Sequence, residues 1–135
     1  MLKAFVDAVA WIALINTGDA LHNRAKQVRT HLQQQKVQLV TTEFVLLEVA
    51  DALCAPHIRI KTIVFLNHLR QLPNLQIIPV SPTLLADGWT LYCQRLDKEW
   101  GLTDCTSFVV MTQRQITQAF TSDHHFEQAG FIKLL

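Results

Sequence analysis

Glycine is scarce in this chain: four in 135 residues, scattered at Gly18, Gly88, Gly101 and Gly130. No GxGxxG, GxxxxGK[ST] or GxSxG can be assembled from them, which argues against a dinucleotide site, a P-loop and an α/β-hydrolase elbow. Cysteine is limited to Cys54, Cys93 and Cys105, an odd and widely spaced set that suits reduced, mostly buried thiols rather than a disulfide frame or a CxxC zinc site. Long apolar runs are missing too. The charge-free stretch Ala8 to Gly18 covers 11 residues, whereas a membrane span needs ~20. Lys3 alone, with Asp7 interrupting the apolar stretch, makes no secretory signal, so a cytoplasmic protein is expected.

Charge is low and balanced, with 12 basic and 11 acidic residues, which excludes a histone-like polycation. Half of the residues are hydrophobic and mean hydropathy is +0.18, so the chain can bury enough apolar surface to offset its ordering entropy. Its length suits a single domain, residues 1–135. Acids are absent from Ala20 to Thr42 and from Ala52 to Ala86. Arg24, Lys26, Arg29 and Arg59 in these stretches are candidate contacts for a polyanion's phosphates, with solvated helix faces as the plainer alternative.

The pattern alternates strands and helices. Strands are expected at Lys3 to Val6, Val37 to Val40, Gln76 to Val80, Gln118 to Thr121 and Phe131 to Leu134. Helices are expected from Ala8 to Ile15, from an Asp19 cap to about Gln35, from Phe44 to Leu53 ending before Pro56, and from Ile58 to Leu69. Two more run from Ser81-Pro82 to about Lys98 and, with Thr103 as cap, from Asp104 to about Arg114, and a turn with a short helix spans Ser122 to Gln128. Strands separated by helices imply parallel neighbours and right-handed crossovers, hence an α/β fold with helices on both faces.

In such sheets ligands bind beyond the carboxyl ends of the strands. Asp7 follows the first strand and Asp123 follows the strand from Gln118, while Asp104 opens the helix before that strand. Glu48 lies within Phe44-Val45-Leu46-Leu47-Glu48-Val49-Ala50, apolar enough to suggest a helix buried on several sides, where a carboxylate is costly unless paired or bound to a cation. Glu43 is about 500° of helical rotation away and points elsewhere. Four converging carboxylates repel one another unless a divalent cation sits among them, and oxygen ligands favour Mg²⁺ or Mn²⁺. Such an ion generates hydroxide from water and steadies a pentavalent phosphorane, the chemistry of phosphodiester hydrolysis.

Each acid has a plainer role available: Asp7, Asp104 and Asp123 as helix caps or dipole partners, Glu48 as partner of a buried arginine. His124 and His125 are adjacent, which disfavours joint chelation of one metal and suggests surface or supporting positions. Asp51 and Asp97 are weaker candidates. Trp11, Trp89 and Trp100 suit a core or dimer contact better than base stacking, and Thr103 and Ser107 are helix-surface hydroxyls that could orient a metal-bound water.

Phe5-Val6-Asp7-Ala8 with Trp11, Thr41-Thr42 leading to Leu47-Glu48, Leu102-Thr103-Asp104-Cys105-Thr106-Ser107-Phe108, and Thr121-Ser122-Asp123 with His125-Phe126 and Ala129-Gly130-Phe131 together resemble the PIN-domain ribonucleases of the VapC toxin type. The resemblance spans essentially the whole chain. It implies a PIN-like three-layer α/β/α fold with a central parallel sheet of four to five strands, and an acidic quartet, Asp7, Glu48, Asp104 and Asp123, holding Mg²⁺ or Mn²⁺ to cut RNA to a 5′-phosphate and a 3′-hydroxyl. A homodimer and a cognate antitoxin covering the acidic groove are implied as partners. A catalytically silent PIN-like module binding RNA or protein is the alternative, disfavoured because four mutually repelling acids are retained. A phosphatase-like hydrolase is disfavoured because Asp7-Ala8-Val9 lacks the second aspartate such enzymes use.

Overall fold

The structure, a computed structural model, describes residues 2–135. Five strands, β1 (Lys3–Val6), β2 (Gln38–Thr42), β3 (Leu75–Ile78), β4 (Gln118–Phe120) and β5 (Ile132–Lys133), alternate with helices α1 (Ala8–Ile15), α2 (His22–Gln34), α3 (Glu43–Ala52), α4 (Pro56–Leu69), α5 (Pro82–Gln94), α6 (Leu102–Gln113) and α7 (His124–Gln128). The strands form one sheet in the order β3-β2-β1-β4-β5, every neighbouring pair parallel. The α/β class is as the sequence indicates, and the five strands fall where expected with ends shifted by up to two residues.

The middle of the sheet is apolar because both faces are covered: Phe5, Val6, Val40, Ala119 and Phe120 are almost fully buried. From β1 the chain adds β2 and β3 on one side, then crosses to add β4 and β5 on the other. The strand order therefore reverses between β1 and β4, and the crevice beyond their carboxyl ends is where such a sheet receives a ligand. Register Val6↔Phe120 places the residues after both strands, Asp7 and Thr121, side by side.

Several local expectations are corrected. Helix α2 starts at His22, because Asp19 Oδ1 accepts the Leu21 N–H at 2.8 Å and closes a turn ahead of the helix. Pro56 opens α4 instead of merely ending α3; its missing N–H is harmless at a first helical position. Helix α5, capped by Ser81 Oγ on Leu84 N (3.1 Å), ends at Gln94. Helix α6 starts one residue before Thr103, with Gly101 as N-cap. Helix α3 buries one face only, through Val45, Leu46 and Val49, and leaves Leu47 57% exposed.

Candidate active site

Asp7 is 3% exposed and precedes α1 without capping it. Its Oδ2 instead accepts the Thr121 hydroxyl at 2.9 Å. Burial pushes its pKa up to about 7, against the hydrogen bond from Thr121, with the charges of Asp104 and Glu48 adding to the rise. Below it, Thr41 Oγ1 donates to Val6 O (2.8 Å) and accepts from Trp11 Nε1 (3.3 Å), fixing the ends of β1 and β2 and the first turns of α1 to one another.

Asp104 is the third residue of α6, and its Oδ2 reaches back to the Gly101 N–H at 3.1 Å. Desolvation raises its pKa, the Asp123 charge adds to this, and the Gly101 N–H and His125 oppose it. Asp123 caps α7 through Oδ1 on His125 N (2.9 Å), so the plainer capping role is real; its own N–H donates to Thr121 Oγ1 at 3.1 Å. Glu48 sits on the exposed side of α3. Its carboxylate is nonetheless crowded, with the pKa raised by desolvation and by the charges of Asp104 and Asp123, and lowered by a hydrogen bond from Thr103. Glu43 is turned away, accepting Val80 N (2.8 Å) and Arg70 Nη2 (3.5 Å).

All four acids thus share one electrostatic environment at the carboxyl edge of β1 and β4. Asp7 senses Glu48 and Asp104, and both Glu48 and Asp104 sense Asp123. No lysine or arginine contributes to any of these shifts. A set of oxygen donors whose charges repel one another without a fixed cation is suited to a hard divalent ion.

Sequence reasoning missed the part played by His125. Its Nδ1 lies 3.2 Å from Asp104 Oδ2 and 3.4 Å from Asp123 Oδ1, between the two acids. His124, with its side chain 69% exposed, places Nδ1 3.7 Å from Asp123 Oδ1. The turn from Asp123 into α7 brings together donor atoms that adjacency in sequence seemed to separate: those of Asp123, His124 and His125 lie within 4.8 Å of one another. The available sequence signal was an Asp at the N-cap position followed directly by His-His.

An aromatic cluster holds this geometry. Phe126 packs against Phe5 (ring centroids 6.4 Å) and Phe108 (4.9 Å), and Phe108 against Trp100 (4.9 Å), whose Nε1 donates to Gln128 Oε1 at 3.0 Å. Trp11 and Trp100 are core residues, whereas Trp89 is 54% exposed. Ser107, fully buried one turn beyond Asp104, has no hydrogen-bond partner for its hydroxyl among the described residues.

The basic candidates do not gather at the acids. Arg24 lines a cavity of about 620 Å³ with Leu2, Val37 and Gln118, at the amino ends of the strands and so at the opposite edge of the sheet. Lys26 is on the outer surface of α2 beside Thr30 and Gln34. Arg29 is half-buried on the same helix. Arg59 is exposed in the first turn of α4, whose last turn leads back to the amino end of β3.

A parallel five-stranded sheet with an acidic crevice at its central reversal defines a class, and the comparison with known families agrees: the PIN domain model matches residues 4–132. The chain belongs to the PIN domain family, a family of nuclease domains. Among curated relatives it is similar to the 23S rRNA-specific endonuclease VapC20 of Mycobacterium tuberculosis, 29% identical over 140 residues and covering 96% of each protein. The crystal structure of VapC20, described as a sarcin-ricin loop cleaving toxin, superposes with a TM-score of 0.83 at 28% identity, 96% of each chain covered. FitAcB from Neisseria gonorrhoeae shares the fold, with a TM-score of 0.68 at 17% identity over 96% of this chain and 95% of that one. No helix among the described residues is long and apolar enough to cross a membrane.

Proposed function

We propose that this chain is a divalent-metal-dependent endoribonuclease, the toxin of a VapBC-type pair, that cuts a structured RNA loop. The observation that carries the reading is the gathering of Asp7, Glu48, Asp104 and Asp123 where the strand order reverses, with Asp7, Glu48 and Asp104 each raised by the charge of another of the four and none neutralised by a lysine or arginine. The likeness to an rRNA endonuclease over 96% of both chains supports RNA as the substrate.

Asp7, Asp104 and Asp123 would hold Mg²⁺ or Mn²⁺, with Glu48 as a further ligand or as the base that orients the attacking water. When bound, the ion supplies Lewis acidity at a phosphoryl oxygen and acidifies water for attack. The protein's own part is positioning. Thr121 keeps the Asp7 carboxylate aimed and favours its charged form. Thr103 favours the charged form of Glu48. Gly101 N–H and His125 hold Asp104. Each of these bonds favours an ionised acid, the form a cation requires. Thr103 and Ser107 are proposed supporting hydroxyls. Lys26, Arg29 and Arg59 are proposed contacts to the RNA backbone, and Arg24, at the far edge of the sheet, is not retained.

An antitoxin is proposed to cover the groove. Leu47 next to Glu48, and Ile60, Ile63 and Val64 on α4, are exposed at 52–76% and offer apolar anchorage for a partner segment. The proposed toxin acts in the cytoplasm, where its RNA substrate is found.

The test is cleavage of structured RNAs, a sarcin-ricin-type stem-loop among them, with Mg²⁺ or Mn²⁺. Asp7→Asn and chelation are each expected to abolish cutting. Cutting that survives both, or Mg²⁺-indifferent RNA binding without any cutting, would overturn the proposal in favour of metal-free chemistry or a silent binding module.

A further inference from the structure

No imidazole nitrogen is a metal ligand in the oxygen-ligand site proposed above, yet two of them stand at its edge. His125 Nδ1 is 3.4 Å from Asp123 Oδ1 and 3.2 Å from Asp104 Oδ2, and His124 Nδ1 is 3.7 Å from Asp123 Oδ1. Ligand atoms that each sit about 2.0–2.1 Å from a tetrahedral ion lie about 3.3 Å from one another. All three spacings fall near that edge length. The two rings are tilted by 53° with centroids 4.5 Å apart, so the imidazoles converge without stacking. Asp123 is held by its cap bond to α7 and His125 is largely buried, so two of the donors are already fixed, while exposed His124 leaves a path for entry.

We propose that Asp123, His124 and His125 form a nitrogen- and oxygen-donor site for a borderline divalent ion of the Zn²⁺ class, its remaining position left to water, and that its occupation withdraws Asp123 from the Mg²⁺ or Mn²⁺ of the nuclease site. Imidazole donors suit zinc, copper, nickel and iron, whereas Mg²⁺ favours oxygen ligands in octahedral geometry, so the two ions are selected by different atoms of one crevice. A bound ion takes an unprotonated nitrogen from each imidazole, any proton it displaces leaves to solvent, and no redox change is involved. The binding claim stands on this geometry alone; the inhibition claim rests on the nuclease reading.

The experiment is calorimetric titration of ZnCl₂ into the full-length protein in millimolar MgCl₂, for wild type, His124→Ala and His124→Ala/His125→Ala, with circular dichroism to verify folding. Wild type is expected to take up one Zn²⁺ per chain. His124→Ala should weaken binding by about tenfold or more, since even an outer partner of a metal ligand is worth 10–100-fold, and the double variant should lose it. Absence of Zn²⁺ binding, or equal affinity in all three proteins, would overturn the proposal. In the cleavage assay Zn²⁺ should inhibit Mg²⁺-supported cutting by wild type, with the inhibition constant of His124→Ala raised by the same factor as its binding constant; inhibition that ignores the substitution also overturns it. A wild type that cuts no RNA would sink the nuclease reading while calorimetry still decides this one.

Discussion

The Thr121 hydroxyl donates to the Asp7 carboxylate at 2.9 Å and accepts the Asp123 N–H at 3.1 Å. One oxygen thus ties the acid after β1 to the loop that carries the acid after β4, and the register of the two strands puts it there. Thr121→Val keeps the shape and removes both bonds. Asp7 then loses the contact that lowers its pKa, so its ionisation moves above about 7. The acid limb of the pH dependence of kcat/KM should shift to higher pH and the Mg²⁺ requirement should rise, with Thr121→Ser restoring both. The unpartnered Asp123 N–H should cost about 1–3 kcal/mol of stability, read by urea denaturation.

A buried acid titrating near 7 carries a stability signature of definite sign. The folded pKa of Asp7 lies above its ordinary 3.8, so between about pH 4 and 7 the folded protein binds a proton that the unfolded chain has released. Metal-free stability therefore falls as pH rises through that window, by roughly 4 kcal/mol from this group. Asp7→Asn removes the penalty. It should be more stable than metal-free wild type at pH 8, similar to it at pH 4, and inactive in cleavage. Added Mg²⁺ should raise the Tm of wild type at pH 8 by mass action and leave the variant nearly unchanged. A wild type that gains stability relative to Asp7→Asn as pH rises would contradict the burial argument.

The placement of the acids at one edge is legible in sequence because strand ends and helix starts are local signals, and a parallel sheet carries the carboxyl ends of its strands to one edge. Asp7, Asp104 and Asp123 follow from that rule. Glu48 follows from the sequence only in part: the apolar run around it points to a helix enclosed on several sides, whereas α3 buries one face and leaves Leu47 open. Its link to the other acids comes instead from its place on the rim, where the charges of Asp104 and Asp123 reach it. Arg24 shows a second limit, since an acid-free stretch identifies cations but not the end of the sheet they occupy. His125 shows a third. Whether adjacent side chains converge depends on the turn angles at one helix cap, and these are set by packing of Phe126 far away in the chain from its partner Phe5.

At Gly88, α5 packs tightly against α6. A Cβ there would stand 2.5 Å from Thr106 Cγ2 and 3.2 Å from Thr106 N, so backbone as well as side chain must give way. Thr106 lies two residues beyond Asp104, which makes this contact a spacer for the site. Gly88→Ala should lower stability by about 1–3 kcal/mol despite alanine's better helix propensity. The cleavage rate should fall as well, because moving α6 carries Asp104 with it. Gly101→Ala is the contrast: the added Cβ meets nothing nearer than Asp104 Oδ2 at 3.9 Å, so a smaller change in denaturation midpoint is expected.

Helix α7 has five residues, too few to hold itself together, and Phe126 is its one fully buried side chain. Packing of that ring on Phe5 and Phe108 therefore sets where Asp123 and His125 stand. Phe126→Ala should cost about 3–5 kcal/mol, a large part of a small domain's stability. Phe126→Leu retains most of the volume and is the more discriminating variant: the fold should persist, with a looser α7. Under the metal reading, its cleavage defect should be greatest at low Mg²⁺ and shrink as Mg²⁺ is raised, because excess ion offsets a ligand held less firmly. A defect of equal size at every Mg²⁺ concentration would mean that α7 serves RNA contact rather than the ion. Glu127→Ala, exposed on the same helix and bonded only to Lys133 at 3.5 Å, should leave the Mg²⁺ dependence as in wild type.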